Sequence, residues 1–301
     1  MCLLLVSAAG LAADRELLKV IMPDARVVSG VNVAEAKKTP FGRFALARFS
    51  DSQDQGFDEF VKASGFDPRY NLDEIVIASP AAAGSDRKLI AARGTFAPAR
   101  IIELARNAGA EIANFQGVEV ISNARAVSSS PHGVPAAVAF LSESIAVAGD
   151  EESVRGAIAR RQNGAGPGQD LAARVDAVSA ASHAWFVSNV PVAELAQGLP
   201  DSNVSGALKG DALRSIRQAS GGAVFGDPVR FSAEVITATA EDAANLADVV
   251  RFLSGIVQTS GPGGRQPLAA GLDLKAEGTL LKLGLSLPEA QLESLIEQAG
   301  R

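Results

Sequence analysis

The chain has 301 residues, 47% of them apolar and 21% charged, with a net charge of −6. That length suits about two domains of roughly 100–200 residues each, and the apolar content excludes global disorder. The acidic balance argues against a phosphate-backbone binder, which needs clustered Lys and Arg, and one Trp with one Tyr is too few for a base-stacking platform.

The chain opens on Met1-Cys-Leu-Leu-Leu-Val-Ser-Ala-Ala-Gly-Leu-Ala-Ala13, which is apolar, ends in small residues and carries no charged side chain. It is shorter than the roughly 20 residues that span a bilayer. Residues 1–13 read as the latter part of a secretory signal peptide cut near Ala12 or Ala13. The basic segment that should precede it is missing, which leaves room for a true start upstream of Met1. A buried first helix and a lipid-anchored Cys2 are the alternatives. Cys2 is the only cysteine, so the processed chain would have none. Intrachain disulfides, a thiolate nucleophile, zinc–thiolate sites and Cys-ligated iron–sulfur clusters are then excluded.

Residues 14–161 read as a first α+β unit. Ala25-Arg-Val-Val-Ser-Gly-Val-Asn-Val-Ala-Glu-Ala36 alternates apolar residues as a strand does and then enters a helix. Ser50–Tyr70 reads as an insertion. Strands are expected over Ile75–Ser79 and Leu89–Phe96. Thr95-Phe-Ala-Pro98 opens a helix over Ala99–Ala108, with Pro98 in the first turn, where its missing N–H costs nothing. Ser128-Ser-Ser-Pro-His-Gly133 reads as a loop, Val138–Ile145 as part of a hairpin, Ile145–Ala148 as a strand and Glu151–Arg160 as a helix. Residues 162–169 hold three Gly and one Pro and form a linker.

Residues 170–301 read as a second unit resembling the first. Ala184-Trp-Phe-Val-Ser-Asn-Val-Pro-Val-Ala-Glu-Leu195 matches the Ala25–Ala36 segment at Ala, Val, Ser, Val, Val, Ala and Glu. Strand Val229–Ala238 leads into a helix ending near Val257. Strand Leu281–Leu287 and helix Pro288–Gln298 answer the last pair of the first unit, Ile158 matching Ile296. The expected fold is therefore α+β: two tandem diverged repeats, each a mostly antiparallel sheet with helices packed on one face.

Gly65-Phe-Asp-Pro-Arg-Tyr-Asn-Leu-Asp-Glu-Ile-Val-Ile77 and Val138-Ala-Phe-Leu-Ser-Glu-Ser-Ile-Ala-Val-Ala-Gly-Asp-Glu-Glu-Ser-Val-Arg-Gly-Ala-Ile158 resemble segments of uncharacterised exported or envelope-anchored bacterial proteins grouped as a domain of unknown function. The resemblance covers much of the first unit and less of the second. It implies export and the repeated α+β fold, and it implies no reaction, cofactor or catalytic residue.

Motifs that carry chemistry are absent or out of context. Gly261-Pro-Gly-Gly264 lacks the Lys of a phosphate loop and reads as a connection to the strand at Leu272. Ser85-Asp-Arg-Lys88 matches the Ser-x-x-Lys of acyl-enzymes, but in a turn between strands. Asp51-Ser-Gln-Asp-Gln-Gly-Phe-Asp-Glu59 partly matches a calcium loop, yet Lys62 stands where a bidentate Glu is needed, so it reads as a solvated loop. His132 falls in the Ser/Pro/Gly loop and His183 just before a strand. Neither has an acidic partner at helical spacing.

No catalytic, cofactor or metal residue is assigned. A cleft between the two units is the natural binding place, with Trp185, Phe186 and His132 as candidate lining residues and a core position as the alternative for the two aromatics. The expected function is that of a non-enzymatic exported envelope protein, periplasmic or extracellular, that binds a protein or small-molecule partner. It has no cofactor, no nucleic-acid partner and no transmembrane segment in the mature chain. A hydrolase without a recognisable motif and a carrier for an apolar molecule are the alternatives.

Overall fold

The computed structural model describes residues 12–51, 55–80, 87–123, 136–164, 166–190, 215–256, 258–261, 264–267 and 271–299. The first part of the chain contributes α1 (Arg15–Val20), β1 (Val27–Asn32), α2 (Val33–Ala36), α3 (Pro40–Asp51), α4 (Gln55–Ser64), α5 (Pro68–Asn71), β2 (Leu72–Ser79) and β3 (Leu89–Gly94). It continues through α6 (Pro98–Asn107), β4 (Glu111–Phe115), β5 (Val118–Ser122), β6 (Ala137–Phe140), β7 (Ile145–Gly149) and α7 (Glu151–Asn163). The second part holds α8 (Gln169–Ser179), β8 (Ala184–Ser188), β9 (Ile216–Val224), β10 (Val229–Thr237), α9 (Ala240–Ile256), β11 (Gln258–Gly261), β12 (Gly264–Pro267), β13 (Leu272–Glu277), β14 (Leu280–Leu287) and α10 (Glu289–Ala299).

Twelve strands form one antiparallel sheet in the order β13-β14-β10-β9-β8-β1-β2-β3-β7-β6-β5-β4, and β11 and β12 pair separately. The α+β class expected from the sequence is the class observed. β1 and β8 pair with each other at the centre. Outward from them the order is β1-β2-β3-β7-β6 on one side and β8-β9-β10-β14-β13 on the other, so like strands lie at like distances from the junction.

Side chains directly opposite one another in a sheet share a face. Trp185, Gly30, Val76, Ala91, Val147, Ala139 and Val120 form such a row. Apolar faces of α1 (Leu17, Leu18), α7 (Val154, Ile158) and α8 (Leu171, Val175) pack on it in the main core. The opposite face is covered at its two ends. At one end α6 lays Ile101, Ile102 and Ala105 on Ile112, Ile121 and Val138. At the other, α9 lays Leu246, Ala247 and Val250 on Val235, Leu274 and Leu281.

The helices therefore divide between two faces, where a single helix-bearing face was expected. Once twelve strands share one sheet, its strands alternate apolar residues on both sides, and each side needs cover. The second part departs from the first at its end. α7 returns to the main core, whereas α10 lies against β11 and α3. It leaves Ser232 and Glu234 of β10 exposed on the face opposite α9.

Two local expectations are corrected. Asp51–Glu59 was expected to be a loop, but α4 begins at Gln55, because Phe57, Phe60, Val61 and Ser64 recur at helical spacing. Gly261 and Gly264 are not a mere connection: Gly261 ends β11 and pairs with Gly264, which opens β12. Elsewhere sequence signals and caps agree. Asp150 accepts the Ser153 amide at 2.8 Å to start α7, and Gly164, at φ 66°, ends it.

Candidate functional site

Small residues on adjacent strands make a shallow floor that larger neighbours wall in. Ala184 pairs with Ala223, which pairs with Phe231. Phe186 pairs with Gly221, Gly221 with Ala233, and Ala233 with Leu283. Ala184, Ala223 and Phe231 of the first row and Phe186, Ala233 and Leu283 of the second line a groove of about 390 Å³ over β8, β9, β10 and β14, beside the area that α9 covers. The ring of Phe186 lies on Gly221: a Cβ there would stand 3.0 Å from its Cε1 and 2.6 Å from the Ser232 carbonyl oxygen. Among the described residues no titratable side chain lines the groove. Such a surface can take up apolar groups, but it offers no acid or base to react with them.

Adjacent strand residues point to opposite faces, and this separates the two aromatic candidates. Phe186 is 40% exposed, in the groove. Trp185 is 3% exposed, and its indole covers Gly30 in the main core. Trp185 reaches the groove only as the strand residue between Ala184 and Phe186. His132 lies outside the described residues. His183 stacks on Phe225 with ring centroids 5.3 Å apart, and its Nδ1 accepts the Phe225 amide at 3.0 Å. Burial lowers its pKa against the pull of Glu35. Phe41 of α3 packs edge-on against the same Phe225. His183 thus helps tie the two parts of the chain together. Among the described residues no group of three or more His, Cys, Asp or Glu could hold a metal ion.

A second cluster of note lies where α1 meets the sheet. Glu74 of β2 is 7% exposed and directly opposite Arg93 of β3. Both Glu74 carboxylate oxygens accept from the main-chain N–H of Asp14, at 3.0 and 3.2 Å. Arg93 turns to the side chain of Asp14 instead, donating from Nη2 to Oδ1 at 3.0 Å and pairing Nε with Oδ2. Burial pushes the Glu74 carboxyl up to about 7. Burial also pushes Asp14 upward, but hydrogen bonds from Arg93 and from the Glu16 and Leu17 amides outweigh it and hold Asp14 below the usual range. Nothing in the sequence flagged Glu74. Its position among Leu72, Val76 and Ala78 on the buried face becomes visible only once the strand's core face is known.

No family model matches the chain, and no curated protein does. Two solved crystal forms of TP0453 of Treponema resemble the structure. Form I superposes with a TM-score of 0.53 at 12% identity, over 95% of this chain and 98% of the other. Form IV gives a TM-score of 0.53 at 11% identity, over 96% and 98%. At this identity the likeness speaks to the fold, which extends over nearly the whole length of both chains. Among the described residues no helix is long and apolar enough to cross a membrane.

Proposed function

We propose that this is an exported, non-enzymatic envelope protein of two diverged units fused into one sheet, and that it binds a small apolar molecule in the groove beside Phe186. The groove itself carries the reading. It has a volume in the range of small-molecule sites, roughly 300–1,000 Å³, and its walls are Phe186, Phe231, Ala233 and Leu283. The lack of a titratable lining group among the described residues favours binding over hydrolysis, which needs a positioned acid or base. Export is supported by the small-residue leader over residues 1–13 and by the segments at 65–77 and 138–158 that resemble exported bacterial proteins.

Titration with an environment-sensitive apolar dye, anilinonaphthalene sulfonate, tests the site. Saturable one-to-one binding that is lost in Phe186→Asp and Phe231→Asp, with melting temperature retained, supports it. Absence of saturable binding, or binding indifferent to both substitutions, sinks it.

A further inference from the structure

Glu74 presents an electrostatic problem that the rest of the fold does not solve. Its buried carboxylate has one main-chain N–H shared between its two oxygens. Among the described residues the guanidinium beside it is that of Arg93, which is committed to Asp14. When Glu74 is ionised, two carboxylates and one guanidinium leave these described residues one positive charge short, and a buried anion without a matched cation is costly. The N–H that Glu74 does receive belongs to Asp14, the first residue after the run of small apolar residues that ends at Ala13.

We infer that the chain is cut between Ala13 and Asp14, and that the freed α-amino group of Asp14 forms a buried ion pair with Glu74. Hydrolysis adds water across the Ala13–Asp14 amide. The carbonyl carbon of Ala13 becomes a carboxylate, and the nitrogen of Asp14 becomes an amine that takes up a proton. Three N–H donors on an ammonium then replace one, 3.0 and 3.2 Å from the two oxygens that already face that nitrogen. The cluster becomes neutral, with Asp14 on Arg93 and Glu74 on the new terminus.

The same geometry separates this bond from its neighbour. Cutting between Ala12 and Ala13 would place the ammonium on the nitrogen of Ala13, which donates to the Ser179 hydroxyl at 3.0 Å. Ala13 is 5% exposed and Ser179 is fully buried, so that cut would bury a positive charge against a neutral oxygen. The Ala13–Asp14 bond is also covered in the folded chain, so the cut precedes folding, as leader removal during export does. The inference rests on the export reading for the protease that makes the cut, while the ion pair stands on the geometry alone.

Two measurements separate these. The chain, extended ahead of Met1 by a basic leader segment, is expressed in an exporting bacterium, and the intact mass of the product is read. A mass that begins at Asp14 is expected. No processing at all would overturn both the export reading and the cut. A product beginning at Ala13 or elsewhere would overturn the cut and leave export standing. Separately, chains made to begin at Asp14 and at Ala13 are melted side by side. The Asp14 chain is expected to melt about 3 °C or more higher, and the gap to close in Glu74→Gln. Should that variant fail to fold, acetylating the Asp14 α-amine makes the same test, and is expected to bring its melting temperature down to that of the Ala13 chain. Equal melting temperatures with a free or a blocked Asp14 would overturn the ion pair.

Discussion

Val28 and Val187 stand directly opposite each other across the β1–β8 junction, and both are completely buried. They also hold the same place in the two matching segments, fourth after Ala25 and fourth from Ala184, counting each alanine as first. Two antiparallel strands are related by a local two-fold axis through any directly opposed pair. The axis relating the proposed copies therefore passes between these two valines. It accounts for the strand order, which runs outward alike on both sides, and for the shared face of α6 and α9, each of which follows the third strand of its unit.

A junction buried in this way predicts that the chain unfolds as one body. Val28→Ala and Val187→Ala are each expected to cost about 2 kcal/mol. As the side chains are neighbours, the double substitution should depart from the sum by about 0.5 kcal/mol or more. Urea unfolding followed by circular dichroism should give a single transition for the parent chain. Two separate transitions would contradict the shared sheet.

Gly30 is held by Trp185. A Cβ on Gly30 would lie 2.4 Å from Trp185 Cζ2 and 2.9 Å from the Ile75 carbonyl oxygen, so an alanine has no room. Gly30→Ala is expected to destabilise by about 2–3 kcal/mol. Because the chain has a single tryptophan, its emission should shift to longer wavelength as the indole is pushed from the core. An unshifted spectrum with unchanged stability would refute the packing.

Glu74 predicts a pH dependence whose sign is fixed by the direction of its shift. Its folded pKa is raised from 4.5 to about 7. Between those values the folded state holds a proton that the unfolded state has released. Stability is therefore fully present below about pH 4.5 and declines as pH rises toward 7. For the chain that retains Ala13, the decline should amount to about 2–3 kcal/mol, allowing for the carboxyl's remaining contact with solvent. Glu74→Gln should flatten it. In a chain that begins at Asp14 the decline should shrink, since the α-ammonium favours the charged carboxylate. Denaturant midpoints between pH 4 and 8 read the effect directly.

Asp150 joins two elements. Its Oδ1 accepts the Ser153 amide at 2.8 Å, and its Oδ2 accepts the Lys88 amide at 2.9 Å, just ahead of β3. Asp150→Ala should cost about 1–2 kcal/mol, while Asp150→Asn, which keeps an acceptor oxygen, should cost less. Thermal melts of the two variants check the order. Equal losses would mean that charge rather than capping matters there.

The sequence was most informative where a single element suffices. The strand and helix around Pro98, the hairpin leading to Ile145, the capped helix at Glu151 and the closing pair of β14 and α10 all follow from periodicity, caps and turn residues, which are local properties. It was least informative where faces meet. α4 was hidden behind a run of acidic and polar residues, and the β11–β12 hairpin behind a glycine cluster. Trp185 and Phe186 could be named as candidates but not told apart. Which of the two entered the core depended on which face of β8 met α8.

By itself, then, the sequence determined the α+β class, the elements around Pro98, Ile145, Glu151 and Leu281, and the match between the Ala25 and Ala184 segments, because hydrophobic period and capping are written into consecutive residues. Only the tertiary structure decided that β1 and β8 join the strands into one sheet, that helices cover both its faces, that Phe186 borders a groove and that Glu74 faces the nitrogen of Asp14. Each of those depends on residues far apart in the chain, which meet only when strand edges pair and burial selects one face over the other.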